Sequence, residues 1–282
     1  MLSALCDRLV GRNRSLVTVV RLTGVIGHGG RFRSGLSLAS VAPLLERAFA
    51  PRRLTAVALA INSPGGAPVQ AALIAGRIRQ LAAEKQVPVL AFAEDVAASG
   101  GYWLACAADE IYADASSVIG SIGVISGGFG FTGFLQRLGV ERRVYTAGSH
   151  KGMLDPFLPE NPDDVIRLQA MQAEIHEDFK ALVNQRRAGR LRAAADELFS
   201  GAFWTGRRAV ELGLVDGLGD LHTVLRAHYG ARVRVRAIEP PGRWPMARWL
   251  RPDASVAEGL DAAATGLIAS ATETALWSRY GL

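Results

Sequence analysis

The sequence predicts an α/β fold, and two observations carry the prediction. Short runs rich in β-branched residues alternate with runs of helical spacing, the order in which parallel strands and crossover helices follow one another. Glycines are abundant, 31 in 282 residues and concentrated in the first half, which suits tight turns between such elements better than a helical bundle.

Taken in order, residues 17–26 (VTVVRLTGVI) read as a buried strand. Residues 37–50 have helical spacing, with Leu38, Val41, Leu44, Leu45 and Phe49 on one face. A strand at 56–61 (AVALAI), the turn Asn62-Ser63-Pro64-Gly65-Gly66 and a helix at 68–83 follow. A strand at 88–93 then leads through a polar turn into a short helix from about Ser99 to Ala107. Short strands are expected at 111–113, 118–119 and 122–125, then a helix near 132–138 and a strand at 140–146. Beyond Gly148 the character changes to a long polar helix over 162–187, opened by Asn161 as cap and Pro162 in its first turn. Residues 205–228 read as helix, short strand and helix. Pro240, Pro241 and Pro245 mark a break, and the alanine-rich tail 253–278 is an amphipathic docking helix. The expected organisation is a lead at 1–16, one domain at 17–238, and a linker with a helical extension at 239–282.

Composition narrows the function classes. Two cysteines, Cys6 and Cys106, are too few for a disulfide framework, and Cys106 reads as a small buried hydrophobe. The net charge of +6 is local, because residues 226–251 hold seven arginines and one acid, Glu239. No nucleic-acid-binding motif accompanies that patch. It reads either as a solvated surface or as a contact for anionic lipid head groups. The first residues lack the apolar core of a secretory signal. The uncharged stretch 115–136 is long enough to span a bilayer, but its six glycines and lack of helical pattern read as strands and turns around a site. The chain is therefore expected to be cytoplasmic, or peripheral at the inner membrane.

The chemistry concentrates in three places. In Ala97-Ala98-Ser99-Gly100-Gly101, a serine stands where a polar loop gives way to an apolar helix. Amide N–H groups and the positive end of the helix dipole suit an acyl-transfer nucleophile there, although the segment alone better fits a capping serine. In Asn62-Ser63-Pro64-Gly65-Gly66, consecutive glycines after a strand let backbone approach a ligand, or simply make a turn. The two turns belong to adjacent strand–turn–helix units and should emerge on one sheet edge. Lys151 is the third. Only Lys85, Lys151 and Lys180 of the 32 basic residues are lysines, and arginine cannot give up its proton. Lys151 lies in the loop Gly148-Ser149-His150-Lys151-Gly152, whereas the other two sit in polar helices. Acting as a base requires lowering its pKa by about 3 units, which an apolar pocket built from residues such as 118–125 would supply. His150, the one histidine beside it, would point away from Lys151 in an extended loop. No cluster with zinc-ligand spacing and no Walker-type loop appears.

Together these segments resemble the signal peptide peptidase family of serine proteases, the SppA/SohB type. The resemblance covers roughly residues 17–225 and rests on NSPGG at 62–66, AASGGYW at 97–103, VIGSIGV at 118–124, AGSHKGMLDPF at 147–157 and FSGAFWTGRRAVELGLVDGLGD at 199–220. It implies a ClpP/crotonase-like spiral of β-β-α units. It further implies Ser99 as nucleophile, Lys151 as general base and Ser121 as the residue that orients the lysine. The oxyanion hole would be the N–H of Gly100 with that of Gly65 or Gly66. It implies hydrophobic peptides, such as signal-peptide remnants, as substrates, no cofactor or metal, and a homo-oligomer. Two departures stand out. No membrane-spanning segment precedes the domain, so the basic stretch with Arg243, Trp244, Trp249 and Arg251 is the expected peripheral contact. The motif at Lys151 continues as GMLDPF where relatives carry acids. The rival readings are a catalytically weak peptide-binding scaffold of the same fold and a crotonase-type acyl-CoA enzyme.

Overall fold

The computed structural model describes residues 15–27, 35–239 and 274–281. Three strand–helix units open the fold: β1 (Leu16–Thr23), α1 (Leu38–Phe49), β2 (Leu54–Ser63), α2 (Pro68–Lys85), β3 (Val89–Ala98) and α3 (Gly100–Ala105). Short elements follow: β4 (Glu110–Ala113), β5 (Val118–Gly120) and α4 (Thr132–Leu138). The long α5 (Pro162–Arg186) leads to α6 (Ala195–Leu198), β6 (Phe203–Thr205), α7 (Gly206–Leu212), β7 (Gly217–Leu218), α8 (Leu221–Tyr229) and β8 (Arg234–Ala237). This is the α/β class expected, with a sheet in the order β6-β5-β3-β2-β1-β8. Its pairs are parallel except for β5 with β6.

The central strands are apolar almost throughout because both faces of the sheet are covered. In β2, six consecutive residues from Ala56 to Ile61 are buried, the pattern of a parallel strand between two helical layers. One face packs on α1, α2 and α3 through Leu45, Phe49, Ile74, Ile78 and Leu104. The other is covered by α8 through Val224 and Leu225. Local signals fix the helix ends. Ser37 caps α1 reciprocally with Ser40, and α2 begins with Pro68 and closes on Gln86 in the left-handed conformation.

Strand β3 forks, and the fork positions the site. Its first half, Leu90 to Ala93, pairs with β4, while Val96 to Ala98 pair with β5. One strand thus feeds two directions of sheet, and its C-terminal end is left against α3.

The last turn of α5 clasps this core. Arg186 donates through Nε to the Cys106 carbonyl and through Nη2 to that of Ala108, each at 2.8 Å. Arg187 is buried, donating to the Gly213 carbonyl and pairing with Asp216 at 2.7 Å. Asp216 also accepts the Ile111 N–H at 2.7 Å, and the buried Tyr102 hydroxyl donates to the Leu214 carbonyl at 2.7 Å.

Two expected strands are missing. Residues 122–125 and 140–146 have no regular structure. The edge of β5 that they would need is taken by β6 in an antiparallel pair, so their apolar character finds no ladder to join. Residues 124–160 project instead as an exposed arm. No residue of α4 is buried, and Ile125, Phe129, Phe134, Leu138 and Tyr145 are exposed. Likewise α5, expected as a polar helix, buries only Asp164, Phe179 and Val183 and leaves Ile166 and Met171 exposed. Of the tail expected as a docking helix, only residues 274–281 are described. Residues 240–273, including the basic stretch with Arg243 and Arg251, lie outside the described residues.

Removing Asp216 leaves the buried Arg187 guanidinium without its counter-charge and the Ile111 N–H without its acceptor. Asp216→Ala should lower unfolding free energy by roughly 3 kcal/mol or more, read as a shift of the urea midpoint.

Candidate active site

At the end of β3 the chain turns into α3 through Ser99, which holds φ 52° and ψ −123°. A non-glycine residue there costs about 1–3 kcal/mol, and such strain gathers at functional positions. Two backbone bonds enforce it. The Ser99 N–H donates to the Gly120 carbonyl at 2.8 Å, and its carbonyl accepts from the Trp103 N–H at 3.0 Å. The side chain makes no capping hydrogen bond. Ser99 is therefore not a capping serine, and it lines a cleft of about 290 Å³.

The Asn62–Gly66 turn lies directly against it. A Cβ on Gly65 would stand 2.7 Å from the Ser99 Cβ, and one on Gly101 would stand 2.4 Å from the Ser63 carbonyl oxygen. The Gly65 N–H is already engaged with the buried Ser63 Oγ at 3.2 Å. Gly66 differs. Its neighbours hold Ile26 from one side, with Ile26 N–H donating to the Gly65 carbonyl and Ala67 N–H to the Ile26 carbonyl, both at 2.8 Å. In that parallel bridge the Gly66 N–H is directed to the opposite side, and Gly66 lines the cleft. Its φ of 139° and the Ile26 oxygen, 2.0 Å from a would-be Cβ, admit only glycine. The amide of Gly100, first in α3, has no acceptor within its helix, and a Cβ there would stand 3.3 Å from the Gly66 nitrogen. Two free amides, those of Gly66 and Gly100, thus converge beside Ser99.

Apolar side chains complete the walls. Trp103 packs on Phe179 with ring centroids 4.8 Å apart and planes tilted by 34°, and Val124, Ile125 and Ile175 close the rim. Neither aromatic carries a sequence signal of its own, because each stands at an ordinary apolar position of a helix. Ser121, 6% exposed, is a second residue with positive φ, 51°, fixed by its N–H to the Ala202 carbonyl at 2.7 Å. His176 lies 3.1 Å from the Ile122 carbonyl and ties α5 to this loop.

The structure brings Ser99, Gly65, Gly66, Gly100 and Ser121 together and leaves Lys151 apart. Lys151 is exposed in a turn of the arm, its N–H donating to the Gly148 carbonyl at 3.2 Å, and it does not line the cleft. The apolar pocket expected around it is absent within the single chain. Cys106 offers no competing nucleophile, since it is buried and burial pushes its thiol up to about 12. Among the described residues no group of three His, Cys, Asp or Glu gathers as a metal site would need.

A model of peptidase family S49 matches residues 82–233, just over half of the chain, a stretch that includes Ser99, Ser121 and Lys151. The chain belongs to peptidase family S49. This is the signal peptide peptidase family to which the five sequence segments pointed. Among S49 relatives, "Protease 4" of Haemophilus influenzae is 29% identical over 226 residues, 78% of this chain and 36% of that protein. "Serine protease SPPA, chloroplastic" of Arabidopsis thaliana is 30% identical over 174 residues, 60% of this chain and 25% of that protein. A Brucella melitensis protein named "Na(+)/H(+) antiporter NhaA" is 52% identical over 292 residues, 100% of this chain and 39% of that protein. The chain thus spans well under half the length of these relatives. A solved structure of a membrane-bound stomatin-specific protease superposes with a TM-score of 0.49 at 17% identity, over 81% of this chain and 99% of that one.

The tightness of the contact between the S49 turns gives a paired prediction. Gly101→Ala should destabilise the fold by roughly 1–3 kcal/mol through overpacking against Ser63. Gly76→Ala, in the exposed middle of α2 with open space around it, should stabilise it by about 0.5–1 kcal/mol. Denaturant titration of both variants checks the contrast.

Proposed function

We propose that this S49 domain is a serine endopeptidase with a Ser99–Lys151 dyad, acting on extended hydrophobic peptides such as signal-peptide remnants. The observation that carries the reading is Ser99 on a strained strand-to-helix turn, beside the free amides of Gly66 and Gly100, in an apolar cleft. Neutral Lys151 takes the Ser99 hydroxyl proton as Oγ attacks a peptide carbonyl. The two amides hold the oxyanion, and the lysine then protonates the leaving amine. A water activated by the same lysine releases the acyl group. Trp103, Phe179 and Ile175 favour apolar substrate side chains, and the mechanism calls for no cofactor.

The exposed arm supports a homo-oligomer in which Lys151 of one copy serves Ser99 of another. An arm with this much uncovered apolar surface is built to be covered. No helix among the described residues is long and apolar enough to cross a membrane. A peripheral position at the inner membrane fits the basic stretch around Arg243 and Arg251, and the antiporter name of the Brucella relatives favours work beside a membrane protein. The separation of Lys151 from Ser99 favours one second reading, a peptide-holding scaffold of the same family with little hydrolytic activity.

Intact mass after fluorophosphonate treatment, with casein cleavage alongside, separates the two. Wild type should label and cleave, Ser99→Ala should lose both, and Lys151→Ala should lose cleavage by roughly 10³-fold or more. Assembling Ser99→Ala and Lys151→Ala chains together at equal ratio should restore activity to about a quarter of wild type, the fraction of random pairings that unite both intact residues. A folded, assembled wild type that neither labels nor cleaves would establish the scaffold reading instead.

A further inference from the structure

Residues 274–281 lie against the cleft described above, about 35 residues beyond residue 239, where the preceding described stretch ends. Residues 274–278 form a helical turn, and Leu276, Trp277 and Tyr280 are half-buried. Leu276 and Arg279 line the cleft with Pro64, Ser99 and Trp103. The Tyr280 ring meets Phe203 edge-on, with centroids 5.2 Å apart and planes at 72°. Its hydroxyl sits between two acceptors, 3.3 Å from the Ser121 Oγ and 3.5 Å from the Pro64 carbonyl.

These contacts join three parts of the site. Pro64 belongs to the turn that carries the Gly66 amide, Ser121 to the loop after β5, and Phe203 to β6 at the sheet edge. An extended peptide reaching Ser99 must run through the same space. Ser121 is also the residue expected to orient Lys151, and the Tyr280 hydroxyl stands against its Oγ, in the space a lysine side chain would have to enter.

We infer that residues 274–281 are an intramolecular occupant of this cleft, held by Leu276 and Tyr280, which keeps out both peptide and Lys151. The inference rests on the Ser99–Lys151 reading only for its effect on activity; the occupancy stands on contacts alone. Because the segment is tethered, it acts at a high effective concentration, yet its few contacts leave it displaceable by a peptide with a better fit. The cleft is then available only for the fraction of time the segment is out, and all binding to it is weakened in proportion.

The test uses the full chain and its Leu276→Ala/Tyr280→Ala variant. Hydrogen–deuterium exchange over residues 62–68, 119–124 and 200–205 reports occupancy, and the rate of fluorophosphonate labelling of Ser99 reports access. In the variant, exchange over all three stretches should rise and labelling should speed up by about tenfold. A synthetic peptide of residues 274–282, added to the variant, should restore both protection and slow labelling. Unchanged exchange in the variant would overturn the occupancy. Faster exchange with equal labelling rates in the two chains would overturn the claim that the segment obstructs Ser99. Faster exchange with no labelling of either chain would support the occupant and overturn the protease reading.

Discussion

Two stretches of backbone, residues 63–66 and 98–101, touch with no side chain between them, and the rest of the cleft depends on that contact. Glycine at 65 and 101 is what permits it, since a Cβ at either would stand 2.7 Å or less from the opposing chain. The contact brings the amides of Gly66 and Gly100 to one side of Ser99. It also holds Ser99 in a conformation that an isolated peptide would leave at once. The strain is borne by the surrounding packing: α3, which follows directly, is buried along its whole length.

The fork in β3 transmits that rigidity to the other wall. Pairing with β5 places the Gly120 carbonyl on the Ser99 N–H, and the next residue, Ser121, follows in a second strained conformation. The clasp of Arg186, Arg187, Asp216 and Tyr102 fastens α3 and β4 to α5 on the far side. Hence the nucleophile side of the site is made of core elements. Its counterpart, the arm bearing Lys151, has almost no core of its own. One half of the candidate machinery is preorganised by folding, and the other awaits something to pack against.

The difference follows what sequence can and cannot express. The strands read at 17–26, which ends at Thr23, 56–61 and 88–93 and the helices at 37–50 and 68–83 were legible because period and turn chemistry are local properties. The two glycine-rich turns were placed on one sheet edge by the topology of parallel units alone. The strand expected at 140–146 failed because a strand is a relation between two chains. Its residues have suitable propensities, but β6 already holds the edge they would join. The same applies to Lys151. Its rarity among arginines marked it out, but whether it is desolvated depends on its neighbours in space, and within one chain it has few. The choice between Gly65 and Gly66 required the Ser63 Oγ contact, a single hydrogen bond with no sequence signature. Trp103 and Phe179 were hidden because apolar helix positions look alike whether they face a core or a cleft.

The scarcity of lysine has a practical side. Lys180 is paired with Glu177 on α5, while Lys85, in the last turn of α2, and Lys151, on a turn of the arm, are both exposed. A chain that carries its cationic surface almost entirely on guanidinium groups presents very few primary amines to the outside. Reagents selective for amines will therefore find a nearly blank protein, with Lys151 among its most accessible targets. A fluorophore or crosslinker attached there would report on the arm itself, turning an accident of composition into a built-in handle on that exposed part of the molecule.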